Sequence, residues 1–168
     1  MTASSYRGIA FLANLQEAAN KIRETARNVE LSKGSEEDLK INVEKILDQK
    51  VWKILEIPPP RYEYVVRGVK GAVVKHFRLD ALYGLTIFEY KVPGTLSRVR
   101  EREEAARKLK EEYIPALLSE GEIKRIIEAI RRKGLTPKIA GVLLDGYSVV
   151  SVEYDVNAKT FKVDARAG

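Results

Sequence analysis

His76-Phe77-Arg78-Leu79-Asp80-Ala81-Leu82-Tyr83-Gly84-Leu85-Thr86-Ile87-Phe88-Glu89-Tyr90-Lys91 is the stretch that decides the fold. It reads as two strands turning at Tyr83-Gly84, and the side chains of a strand alternate between the two faces of its sheet. Asp80, Leu82, Leu85, Ile87, Glu89 and Lys91 therefore project to one side. With that turn, Asp80 falls opposite Ile87 and diagonal to Glu89, roughly 7–8 Å away between backbones. Two acids and an amine share one face of an otherwise hydrophobic hairpin.

Two carboxylates brought together on an apolar sheet repel and lose hydration, which drives one of them to hold a proton. A divalent cation removes that penalty. Mg²⁺, with Mn²⁺ as a substitute, prefers oxygen ligands and accepts one or two protein carboxylates while keeping waters and phosphate oxygens. Phosphodiester hydrolysis needs those parts: a metal that acidifies water and stabilises phosphoryl charge, and an ammonium such as Lys91 that orients the nucleophile or offsets the developing charge. The plainer reading of Lys91 is an edge-strand lysine on a solvated tip.

Leu79-Asp80, eight intervening residues, then Glu89-Tyr90-Lys91 resembles the signature of the PD-(D/E)xK nuclease superfamily, with leucine in place of the proline. The wording Ile87-Phe88-Glu89-Tyr90-Lys91-Val92-Pro93-Gly94-Thr95-Leu96 is also similar to nuclease-like domains at the start of large DNA methyltransferase and restriction proteins. In those domains a helix with a Tyr-Ile pair follows, as Tyr113-Ile114 does here, and Lys108-Leu109 stands where they often carry Gln-Leu. The resemblance covers roughly residues 35 to 150. It implies a restriction-endonuclease-like mixed sheet flanked by helices, DNA as substrate, and a metal held by Asp80, Glu89 and the Tyr90 carbonyl. Asp80, Glu89 and Lys91 are then the catalytic residues, with a further acid from the first core helix.

That helix starts at Gly34-Ser35-Glu36-Glu37-Asp38-Leu39, and Leu39, Val43, Ile46 and Leu47 trace its buried stripe. At about 100° per residue, Glu36 lies close to the stripe while Glu37 and Glu44 point well away, so Glu36 is the fourth catalytic candidate. Alternatively, Ser35 caps the helix and the acids complement its dipole.

Composition narrows the chemistry. The 168 residues include no cysteine and one histidine, His76, so thiolate zinc sites are excluded and histidine-based schemes are poorly supplied. The length fits one domain, 1–168, with 1–33 an N-terminal amphipathic helical extension. Abundant Lys, Glu and Arg resemble thermophile usage. A net charge of +6 suits a polyanionic partner, although solvated lysines score the same. No stretch reaches the roughly 18–20 apolar residues needed to cross a bilayer, and no compact signal core opens the chain. The expectation is a cytoplasmic protein with no membrane partner.

Around this centre, Leu12, Leu15, Ala19, Ile22, Ala26 and Val29 repeat at heptad spacing in a first helix that docks on this domain or mediates a homodimer. The next helix runs to about Val51, and Pro58-Pro59-Pro60 ends regular structure. Arg61–Val66 reads as a strand, 68–71 as a turn and 72–82 as the entry to the hairpin. These strands are apolar on both faces, as in an α/β architecture with its sheet covered on each side.

From about Ser97 a helix presents Val99, Ala106, Leu109, Tyr113 and Leu117 inward until Pro115 disturbs it. Its cations pair with neighbouring glutamates at helical spacing, except that Arg98 and Arg100, nearest the catalytic strand, are the candidates for touching DNA. Glu120–Lys133 is a second helix, and Ile139–Leu144 and Ser148–Tyr154 form the longest strand pair around a turn made by Asp145-Gly146, with Thr160–Val163 as an edge strand.

A catalytically inactive nucleic-acid-binding or assembly module of the same fold is the alternative, since one fold hosts many functions. A pure interaction domain using the first helix is the third. A fused or associated methyltransferase or helicase module is a further expected partner, because a cutting module is often tethered to the part that chooses its target.

Overall fold

A computed structural model describes residues 3–70 and 72–165. Among these residues six strands form one mixed sheet in the order β1 (Arg61–Lys70), β2 (Val73–Tyr83), β3 (Thr86–Tyr90), β4 (Lys138–Leu144), β5 (Val149–Asp155) and β6 (Thr160–Asp164). Only β3 and β4 run parallel; the other neighbours are antiparallel. The parallel pair needs a crossover, and α3 (Val99–Lys108), α4 (Ile114–Ser119) and α5 (Gly121–Arg132) supply it. On the opposite face lie α1 (Ala3–Leu31) and α2 (Glu36–Leu47). The α/β class expected from doubly apolar strands is what the chain adopts.

Alternation along the central strands sorts the core. Ile87, Ile139 and Leu143 pack with Ala106, Leu109, Leu117, Ile123 and Ile127 of the crossover helices. Phe88, Tyr90, Val142 and Leu144 pack with Ala26, Val29, Leu39 and Val43 of α1 and α2. The first helix thus docks on its own chain, and Glu17 to Lys50 at 2.9 Å and the Tyr147 hydroxyl to Glu30 at 2.9 Å tie it down. Beneath it Gly146 has φ +87°, and a Cβ there would lie 2.3 Å from that of Ala26, so only glycine lets loop and helix approach. Among the described residues no helix is long and apolar enough to cross a membrane.

Four expectations need correction. The central hairpin turns at Gly84-Leu85, one residue later than read, because the loop puts Gly84, with φ +59°, at the position where a two-residue turn demands positive φ. Tyr83 therefore pairs with Thr86, and the register carried on sets Asp80 opposite Glu89 instead of Ile87. Second, β1 continues to Lys70, so β1 and β2, not β4 and β5, are the longest pair; Gly68 stays in the strand because the Phe77 ring lies over it, 2.3 Å from where a Cβ would be. Gly71, placed in the expected turn, lies outside the described residues. Third, the disturbance expected at Pro115 falls just before it: a π-helical turn, Leu109–Tyr113, precedes the proline, and the helix resumes with the proline at its start, where its missing N–H costs least. Fourth, Val99 is exposed, because helix α3 only begins there.

Strict alternation also fails at one informative place. Leu79 and Leu82, three apart, both enter the larger core, so the phase of β2 breaks at the residues between them, beginning with Asp80. Opposite Asp80 stands Glu63, whose φ is +53°, and the pairs Tyr62↔Ala81 and Tyr64↔Leu79 flank the gap in the ladder. A bulky residue in the left-handed region stores strain, which persists only where surrounding contacts over-determine it.

Candidate functional site

The site is assembled from β2, β3 and the flank of α2. The β2–β3 ladder covers only Ala81↔Phe88, Leu82↔Ile87 and Tyr83↔Thr86, and ends where the acids begin. Beyond it, each strand's carboxylate accepts the other strand's amide: Asp80 N–H donates to Glu89 Oε1 at 3.1 Å, and Tyr90 N–H donates to Asp80 Oδ2 at 2.8 Å. Lys91 N–H points the other way, to the Leu144 carbonyl at 3.0 Å. An extended residue presents its N–H and C=O on the same edge, so the Tyr90 carbonyl opens toward Asp80.

Ser35 starts α2 through a reciprocal capping box with Asp38, which fixes the helix phase. The capping reading of these acids belongs to Asp38. Glu36, Lys40 and Glu44, one turn apart, then run along the flank facing the sheet. Glu36 is half-buried and feels Lys91 and Asp80. Lys40, 7% exposed in its side chain, bonds Glu63 and lies 3.8 Å from Asp80 Oδ1. Glu44, expected to point away, is buried and accepts the hydroxyls of Tyr62, Tyr83 and Tyr90. Lys40 and Glu44 were missed as buried residues because their partners lie far along the chain. Their i, i+4 spacing from Glu36 is the signal that finds them.

Electrostatics follows from this crowding. Burial, then the charge of Asp80, pushes the Glu89 carboxyl up to about 8, against the Asp80 amide and Lys91. Burial also raises Asp80, with the Tyr90 amide and Lys40 opposing, and raises Glu36, with Lys91 opposing. Lys40 is pulled down by burial, yet Glu63 and Asp80 outweigh that and hold it above its usual value. Burial and then Glu89 push the Tyr113 phenol up to about 12. Beside Lys91 a cavity of about 150 Å³ is lined by Thr95, Leu96, Glu101, Glu104, Tyr113 and Leu143, among others.

The chain therefore brings Asp80, Glu89, Lys91 and Glu36 together. Arg98 and Arg100 stay apart: Arg98 precedes α3 with its side chain 68% exposed, 4.0 Å from Glu101, and Arg100 is exposed beside Glu101, Glu103, Glu104 and Arg107. Arg102 and Arg107 serve structure, one donating to the carbonyls of Leu96 and Ser97, the other pairing with Glu104 and Glu111. Asp145 is a turn former as read, accepting the amides of Tyr147, Ser148 and also Leu96.

The donor set suits a hard cation: two carboxylates and a backbone carbonyl, all oxygen. Among the described residues no group of three or more His, Cys, Asp or Glu side chains is arranged to hold a metal ion, so any ion here rests on that pair and the carbonyl. Compared with protein-family models, curated proteins and solved structures, the chain matches none.

Proposed function

We propose that this chain is a Mg²⁺-dependent nuclease that hydrolyses DNA phosphodiester bonds, the activity implied by the resemblance of Asp80, Glu89 and Lys91 to the PD-(D/E)xK signature. One observation carries the reading: Asp80 and Glu89 meet across β2 and β3 with their carboxyls raised, while Lys91 and Glu36 stand within electrostatic reach. Asp80, Glu89 and the Tyr90 carbonyl would hold the ion. When bound, it supplies a lowered water pKa and charge stabilisation at phosphate.

The remaining work falls to the chain's own groups. Lys91 positions the attacking water or offsets charge on the phosphoryl oxygens, acting through its ammonium. Glu36, its carboxyl raised by burial, hydrogen-bonds that water on the α2 side. Lys40 holds Asp80 and Glu63 in place, so the Asp80 carboxylate keeps one orientation. Leu96, Tyr113 and Leu143 limit water beside Lys91.

Lys40 also supports the alternative of an inactive nucleic-acid-binding module, since an internal ammonium already opposes Asp80. The test is cleavage of plasmid DNA with Mg²⁺ or Mn²⁺. Cleavage that Asp80→Asn and Lys91→Ala each abolish supports the nuclease; DNA binding by the wild type with no cleavage under any divalent metal rejects it in favour of the inactive module.

A further inference from the structure

The β1–β2 ribbon carries an exposed face that the catalytic reading does not use. Residues 64–79 contain Arg67, Lys70, Lys75, His76 and Arg78 and no Asp or Glu, in a chain with 24 acids. The register pairs Val65 with Arg78, Arg67 with His76 and Val69 with Val74. By alternation these six share one face, turned away from Tyr64, Val66, Phe77 and Leu79, which pack into the larger core. Val65, Val69 and Val74 are 51%, 76% and 55% exposed. The ribbon's own position is fixed from the other side: Arg67 N–H donates to Glu120, and the Ser119 hydroxyl donates to the Arg67 carbonyl.

This face runs into the site. Arg78 lies 3.5 Å from Glu63, Glu63 bonds Lys40, and Lys40 lies 3.8 Å from Asp80. A ligand lying along the ribbon is thereby delivered to the carboxylates at its base. A cationic ribbon with no acid of its own between residues 64 and 79 fits a polyanion, and a two-stranded ribbon fits the major groove of duplex DNA, about 12 Å wide. At about 3.3 Å per residue, the stretch from Tyr64 to Lys70 reaches about 20 Å, long enough to follow the groove past several phosphates. Valines interleaved with cations match that groove too, where thymine methyls offer apolar contacts between the phosphate walls.

We infer that the exposed face of the β1–β2 ribbon docks in the major groove of duplex DNA, with Arg67 and Arg78 on phosphates and Val65, Val69 and Val74 against base edges. The inference rests on the proposed function for its choice of DNA. It is tested with the full chain in EDTA, by fluorescence anisotropy of a labelled duplex of about 30 base pairs across a salt series. Combining Arg67→Ala with Arg78→Ala is expected to weaken binding at least 10-fold and to lower the slope of log affinity against log salt by about 2, one phosphate contact each. Val69→Asp with Val74→Asp is expected to weaken it at least 10-fold, and Arg67→Gln alone about 3-fold, each with an unchanged circular-dichroism spectrum.

Wild-type affinity and slope in the double arginine variant overturn the inference. So does a wild-type dimer in sedimentation that the valine variants dissociate without altering DNA binding, because the face then serves a second copy. Ribbon-dependent binding without cleavage leaves the inference standing while the nuclease reading falls. Cleavage that persists at wild-type affinity in every ribbon variant does the reverse.

Discussion

Glu89→Gln is expected to stabilise the protein at alkaline pH and to leave it unchanged in acid. Glu89 is 5% exposed, and burial together with Asp80 lifts its carboxyl from 4.5 to about 8. The folded chain therefore keeps a proton that the unfolded chain has released, so stability falls as pH climbs from about 4.5 to about 8 and then levels off. The gap between those values, at about 1.4 kcal/mol per tenfold, sets a ceiling on the order of 5 kcal/mol. Strand relaxation and the share already carried by Asp80 reduce it, and roughly 2–3 kcal/mol is expected. Glutamine is neutral at every pH and still offers an oxygen to the Asp80 amide. The assay is urea unfolding of both proteins in EDTA from about pH 4 to 9, and the difference between them isolates Glu89 from the other titrating groups. In a chain of this size the gain corresponds to a Tm increase of roughly 4–12 °C at high pH. A variant less stable than wild type at alkaline pH, or a difference that does not change with pH, refutes the reasoning. Millimolar Mg²⁺ should recover stability at alkaline pH in the wild type and not in the variant, because only the carboxylate gives the ion its second anionic ligand.

Two further outcomes concern the frame around the site. Glu44→Ala leaves the buried Tyr83 and Tyr90 hydroxyls without their acceptor; at about 1–3 kcal/mol per orphaned group, a loss of about 3–5 kcal/mol is expected in urea unfolding, and Glu44→Gln should cost about half. A loss below about 1 kcal/mol would show that the three tyrosines do not depend on this carboxylate. Gly146→Ala meets both a φ of +87° and the Cβ of Ala26 at 2.3 Å, so a loss of about 2–4 kcal/mol is expected, with faster amide exchange along the C-terminal half of α1. Wild-type exchange there would mean that α1 does not depend on the loop beneath it.

Much of this frame is legible in the sequence, for local reasons. Asp145-Gly146 marks a turn, and the isoleucines at positions 123, 126, 127 and 130 mark one helix face, so β4, β5 and α5 fall within a residue or so of where the pattern puts them. The pairing of Asp80 with Glu89 survives a misread turn because the two-residue loop moves by one: both readings keep the two acids on one side, and the true register brings them closer. What local pattern misses is set by distant partners. Lys40 is buried because Glu63 and Asp80 wait across the fold, and Glu44 because Tyr83 and Tyr90 do. The extra length of β1 has the same origin: Val69, 76% exposed, has no core to satisfy, and the strand persists through its ladder with β2.

The site owes its geometry to a backbone problem. Where the β2–β3 ladder stops, the amides of Asp80 and Tyr90 lose their strand partners, and a buried N–H must find an acceptor. The nearest acceptors are the carboxylates of the opposite strands, so Glu89 takes the Asp80 amide and Asp80 takes the Tyr90 amide. This crossed arrangement forces two anionic groups together in a buried place, and the raised carboxyl of Glu89 records the cost. A cation relieves that cost without requiring the carboxylates to move apart, since each keeps an oxygen beyond the one its amide occupies. The same crossing means that Asp80 supports both sheet and chemistry. Truncation to alanine confounds them by orphaning the Tyr90 amide, whereas Asp80→Asn keeps an oxygen for that amide and removes only the charge. Lost cleavage in a folded Asn variant therefore reports on the charge at Asp80, independently of the strand junction that the side chain helps to close.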